Sequence, residues 1–84
     1  MVFCVCLVIN MDILCEKRVG INIRNLRIKS NLTQEQLSAK LQVSGCDVTR
    51  SALAKIEVGQ RHIYIDELIK LKEILNVSYE DILK

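Results

Sequence analysis

Two stretches decide the fold: Leu32-Thr33-Gln34-Glu35-Gln36-Leu37-Ser38 and Val48-Thr49-Arg50-Ser51-Ala52-Leu53-Ala54-Lys55-Ile56-Glu57-Val58-Gly59. The first opens on the Thr-x-x-Gln spacing of a capping box, in which the Thr33 hydroxyl takes an orphan amide proton while Gln36 reaches back to the Thr33 N–H. Leu37 and Leu41 then lie on one face at i, i+4, and the pattern predicts a helix to about Gln42. In the second stretch Thr49 is the natural N-cap, Leu53 and Ile56 face inward, and Gly59 is the expected stop. Two short helices with a turn between them, Ser44-Gly45-Cys46-Asp47 at its centre, are therefore the middle of the molecule.

Working outward, a helix is expected upstream from about Glu16 or Val19 to Ser30, with Ile23 and Leu26 inward, Arg24 and Lys29 outward, and Asn31 breaking it. Downstream, Gln60 to Tyr64 reads as a loop and Asp66 to Leu75 as a fourth helix, with Leu68, Leu71 and Leu75 inward and Asn76 as its end. Ser78 caps a last short helix through Leu83 with Ile82 inward. The expected fold is all-α, a compact bundle of five short helices. Such helices are marginal alone, so tertiary packing must hold them.

Composition agrees. The chain has 84 residues, enough for one domain, with no proline and three glycines, which disfavours a fold built on many tight turns. With no Trp, one Phe and two Tyr, the core must come from Ile, Leu and Val. The net charge of +2 conceals an uneven distribution. Between Lys17 and Arg61 nine Lys/Arg face three acids, a local balance of +6, while the first sixteen and last twenty-three residues each carry −2. A basic middle between acidic ends suggests one positive face, for which nucleic acid is the natural partner and a solvated helical surface the plain alternative.

The head of the chain, MVFCVCLVI from Met1 to Ile9, is unbroken and apolar. A bilayer span needs about 20 apolar residues, and a signal peptide needs a cationic start and a small-residue cleavage site, so no membrane segment is expected. Two readings stand for residues 1–15: an apolar extension forming a strand or dimer arm, or an artefact of start-site choice, since Met11 is an in-frame alternative start. Residues 16–84 form the expected domain. The four cysteines, Cys4, Cys6, Cys15 and Cys46, have neither disulfide-framework nor paired CxxC zinc spacing. Cys4-x-Cys6 with His62 is the one imaginable metal set. Idle thiols in a reducing cytoplasm are the expected state.

Ile23-Arg24-Asn25-Leu26-Arg27, the Leu32–Ser38 run and the Val48–Gly59 run, followed by Leu68, Leu71, Leu75, Val77, Ser78 and Ile82, resemble the Cro/phage-repressor (XRE) helix-turn-helix domains in the right order. The likeness covers about Val19 to Leu83. It implies a lambda-repressor-like DNA-binding domain whose third helix enters the major groove. The chain departs from the family where Leu41 to Val48 stands in place of a Gly-Val-Ser-like turn, giving an extended helix 2–3 turn. Lys72 also stands where a small apolar residue is common.

The resemblance assigns base reading to Arg50, Ser51 and Lys55. The chemistry supports this: Arg50 suits bidentate pairing with guanine O6 and N7, Ser51 suits several bases, and the Ala52 methyl suits a thymine methyl. Gln34 matches a phosphate-binding glutamine, at a helix N-terminus that already favours anions. Thr49, Arg24, Gln60, Arg61 and His62 are further candidates for the DNA backbone, each with a plain surface or capping role as its alternative. Arg27 and Glu57 match a structural ion pair.

The expected function is sequence-specific binding of double-stranded DNA as a transcriptional regulator, a repressor acting as a homodimer on a palindromic operator. The competing reading is a protein-interaction module on the same fold, including antitoxin-like partner binding. Catalysis is not expected. One histidine, scattered acids and no Gly-rich phosphate loop leave no acid–base or nucleophilic constellation, and no cofactor or small-molecule substrate is implied.

Overall fold

The computed structural model describes residues 13–84, which form five helices in the order α1 (Ile13–Lys29), α2 (Gln34–Val43), α3 (Arg50–Glu57), α4 (Ile65–Leu75) and α5 (Tyr79–Leu83). The all-α five-helix expectation therefore holds. The apolar head through Asp12, with its strand, dimer-arm and start-site readings and the Cys4-x-Cys6 metal set, lies outside the described residues. Helix α1 begins earlier than its hydrophobic pattern suggests and crosses the boundary expected at residue 16. Glu16, in its first turn, is matched to the positive end of the helix dipole.

The caps act as read. Thr33 Oγ1 accepts the Gln36 N–H at 3.1 Å and Gln36 Oε1 accepts the Thr33 N–H at 2.9 Å, closing the box. Thr49 Oγ1 accepts the Ala52 N–H at 3.1 Å, and Ser78 caps α5 through the Asp81 N–H at 3.2 Å. Asn31 (φ 60°) and Asn76 (φ 55°) end α1 and α4 in the left-handed region, which Asn tolerates better than most residues.

Helix α1 packs on α3 and α5, and α2 packs on α3 and α4. The core is Val19, Ile23, Leu37, Leu41, Cys46, Val48, Leu53, Ile56, Leu71, Leu75 and Ile82, all aliphatic apart from the thiol. Gly20 makes the α1–α3 contact possible. A Cβ there would run into the Ile56 carbonyl oxygen and sit 2.8 Å from that of Glu57. Lys72 is half-buried, with Nζ 5.4 Å from the Tyr79 ring centroid, so the cation packs over an aromatic face and α4 accommodates it. Among the described residues, no helix is long and apolar enough to cross a membrane.

Candidate nucleic-acid interface

Helix α3 buries Leu53, Ile56 and Glu57 and leaves Arg50, Ser51 and Lys55 in solvent. Three of the four residues expected to read bases thus stand exposed on or just after its first turn. Ala52 is half-buried and packs against the core, so its methyl is only partly available to a ligand. Thr49 is exposed, its hydroxyl occupied by the cap.

The long turn, residues 44–49, is held to the core at alternate positions. Cys46 and Val48 are buried, Cys46 N–H donates to the Leu41 carbonyl at 2.9 Å, and Val48 N–H to the Cys46 carbonyl at 2.8 Å. Gly45, at φ 99°, supplies the reversal. The Cys46 thiol lies 3.8 Å from the Asp66 carbonyl oxygen, and burial, reinforced by the charges of Asp66 and Glu67, pushes its pKa up. Cys46 is thus a packed, protonated side chain that ties the turn to α4. The turn is fixed to the core before α3 begins.

The far end of α3 is fixed by an ion pair. Arg27 Nε and Nη2 donate to the two Glu57 carboxylate oxygens at 2.7 and 3.1 Å, and Arg27 Nη1 to the Leu32 carbonyl at 2.9 Å. Both residues are buried. A third donor was not foreseen: Gln34 Nε2 bonds Glu57 Oε1 at 3.0 Å. The phosphate candidate at the start of α2 is therefore oriented by a buried carboxylate at the end of α3. Glutamine's second amide hydrogen remains for another acceptor.

Gln34 and Arg24, expected on the DNA backbone, come together in one groove with Lys17, Ile21, Glu57 and Val58. Gln60 is exposed just past α3, its N–H donating to the Lys55 carbonyl at 2.8 Å. Arg61 is placed differently. Its guanidinium donates to both Glu67 oxygens at 2.9 and 3.0 Å and to the His62 carbonyl at 2.9 Å, and it lies 5.7 Å from the Tyr64 ring centroid. The Glu67 hydrogen bonds raise its pKa further. Burial alone would push Glu67 up, but the Arg61 bonds and the Tyr64 amide outweigh it and hold the carboxyl below its ordinary value. His62 Nδ1 meets the buried Glu16 carboxylate, tying the α3–α4 loop to α1, and among the described residues that oxygen has no other partner.

Sequence reasoning missed Gly20, the Gln34–Glu57 bond and the Arg61–Glu67 and Glu16–His62 pairs. The only local signal was Glu67, three residues after Tyr64 at capping-box spacing.

A model of the helix-turn-helix family matches residues 23–82. The control protein C.BamHI of Bacillus amyloliquefaciens is 34% identical over 65 residues, covering 76% of this chain and 74% of that protein. The crystal structure of the restriction-modification controller protein C.AhdI from Aeromonas hydrophila superposes with a TM-score of 0.70 at 28% identity, over 82% of this chain and 93% of that one. The DNA-binding domain of BldD has the same fold, with a TM-score of 0.73 at 19% identity, over 88% of this chain and all of that one. The chain belongs to the helix-turn-helix family in its Cro/phage-repressor (XRE) form and is a DNA-binding transcriptional regulator.

Proposed function

We propose that the protein is a cytoplasmic, non-enzymatic homodimer that recognises a palindromic operator through the first turns of α3 and represses by occupying it. Arg50 pairs bidentately with a guanine, Ser51 and Lys55 contact neighbouring base edges, and Ala52 meets a thymine methyl. Gln34, Arg24, Thr49 and Gln60 bind the flanking phosphates and set the register. Arg61, engaged by Glu67, acts at the backbone only in exchange for that pair. One observation carries the reading: Arg50, Ser51 and Lys55 project from a helix whose opposite face is locked into the core. The description of C.AhdI as a restriction-modification controller supports placing this chain in that class of regulator.

A dimer suits so small a module, because two half-sites about 34–36 Å apart double the contacts one copy can make. The test is selection from a random duplex pool with wild type and Arg50→Ala side by side, the winning duplex then titrated in rising salt. Enrichment of one palindrome is expected. Arg50→Ala should relax it at one position and weaken each half-site by about 1–3 kcal/mol, the range for a bidentate contact. No enrichment, or weak salt-labile binding indifferent to the substitution, would remove α3 from the role and favour a protein-interaction module.

A further inference from the structure

We propose that Lys17, on the first half of α1, is a DNA phosphate contact that forms a clamp with Arg24 and Gln34 and extends the footprint beyond the helix-turn-helix itself. The inference rests on the DNA-binding reading above. Lys17 precedes the residues matched by the family, 23–82, so the motif does not supply it.

The geometry is that of one groove, bounded by α1, the start of α2 and the end of α3, with Lys17, Arg24 and Gln34 among its walls. Lys17 and Arg24 are two helical turns apart, which sets them on the same face of α1 with Ile21 between them. Both are exposed, and among the described residues neither joins a salt bridge. Among the described residues, the one acid lining the groove, Glu57, is satisfied by Arg27 and Gln34. The groove therefore offers two uncompensated cations and one amide to an anion.

Lys17 is also positioned. Its stem lies against Gly59, so closely that a Cβ on Gly59 would come within 2.6 Å of the Lys17 Cγ and 3.0 Å of its Cα. Gly59, at φ 79°, both closes α3 and leaves room for that stem. The groove's place suits the DNA backbone. Helix α3 has 8 residues, about 12 Å at 1.5 Å per residue, so the groove at its C-terminal end stands roughly one major-groove width from the base-reading turn. At that offset the facing chemistry is the phosphodiester chain bordering the groove.

The experiment measures the affinity of full-length wild type, Lys17→Gln, Lys17→Arg, Arg24→Gln and Lys40→Gln for the duplex selected by wild type, across a salt series. Lys40 serves as control because it lines a different surface, with Ala39, Val43, Ser44 and Ile74. Melting temperatures are compared in parallel. Losing one phosphate contact in each half-site lowers the magnitude of the log K against log salt slope of the dimer by about 1.8, and its affinity about 30-fold at ~0.15 M salt. Lys17→Gln should do this without changing the selected sequence, Lys17→Arg should restore the slope, and Lys40→Gln should match wild type. An unchanged slope in Lys17→Gln, or an altered base preference in its place, overturns the clamp while leaving recognition by α3 intact. Loss of all DNA binding by wild type overturns both.

Discussion

Gly20→Ala sets two forces against each other. In the interior of α1 the substitution gains helix propensity worth about 1 kcal/mol, and on an exposed face it would stabilise the protein. At this position the new methyl meets the Ile56 carbonyl oxygen and lies 2.8 Å from that of Glu57. Ordinary carbon–oxygen contacts are about 3.3–3.6 Å, so the helices must part by at least half an ångström. The obstructing atoms are backbone and cannot rotate away, and separation pulls on the Arg27–Glu57 pair anchored at the same junction. Overpacking of this kind costs about 1–3 kcal/mol, and the rigid obstruction argues for the upper end. Net of propensity, the loss is about 2 kcal/mol, or roughly 8–16 °C in Tm for a domain of this size. Circular dichroism melts and urea titrations of the two proteins measure it. A Tm equal to or above that of wild type would refute the close approach of α1 to α3.

Arg27→Met strands the buried Glu57 carboxylate and should cost about 3–5 kcal/mol, moderated toward the lower figure by the Gln34 bond, and an urea midpoint within error of wild type would refute the pair's role. Glu67, with its folded pKa below its ordinary 4.5, contributes stability that is complete above that value and fades as pH falls through the depressed one. The stability gap between wild type and Glu67→Gln should therefore be wide at pH 7 and narrow in acid, and a gap independent of pH would count against the Arg61–Glu67 pair. Cys46, buried and with a raised pKa, should alkylate far more slowly in native protein than in urea at pH 8, measured peptide by peptide by mass spectrometry, whereas equal rates would mean the long turn opens freely.

The elements that sequence placed well are those with local causes. Thr33, Thr49 and Ser78 each bond the amide three residues on, and Asn76 stops α4 by a backbone preference carried in one residue, so each is readable from a few letters. Helix α1 was blurred because its inward stripe runs Glu16, Val19, Gly20, Ile23, Arg27, in which three of the five positions are not hydrophobic by type. Those three are buried for reasons lying elsewhere in the chain: Glu16 meets His62, Gly20 meets the end of α3, and Arg27 meets Glu57. The expected site divides in the same way. Exposure of Arg50, Ser51 and Lys55 follows from the helical period of a short amphipathic segment. The diversion of Arg61 to Glu67 and the bond between Gln34 and Glu57 depend on tertiary placement.

The long turn between α2 and α3, residues 44–49, shows how a connection of this length leaves room for the proposed function. What the proposed recognition through α3 requires is that its first turn be held at a fixed height and angle, and that depends on the anchors at its two ends more than on the path between helices. At the N-terminal end Cys46 and Val48 return to the core on either side of exposed Asp47, and Thr49 begins α3 from a buried neighbour. At the C-terminal end Gly20 and the Arg27–Glu57–Gln34 network set the helix against α1 and α2. The network also bears on the ligand, since the carboxylate that fixes α3 orients the amide expected on phosphate. A change at Glu57 should therefore weaken DNA binding through register as well as through stability, while a change at Asp47, which has no hydrogen bond to either anchor among the described residues, should leave the position of α3 as it is.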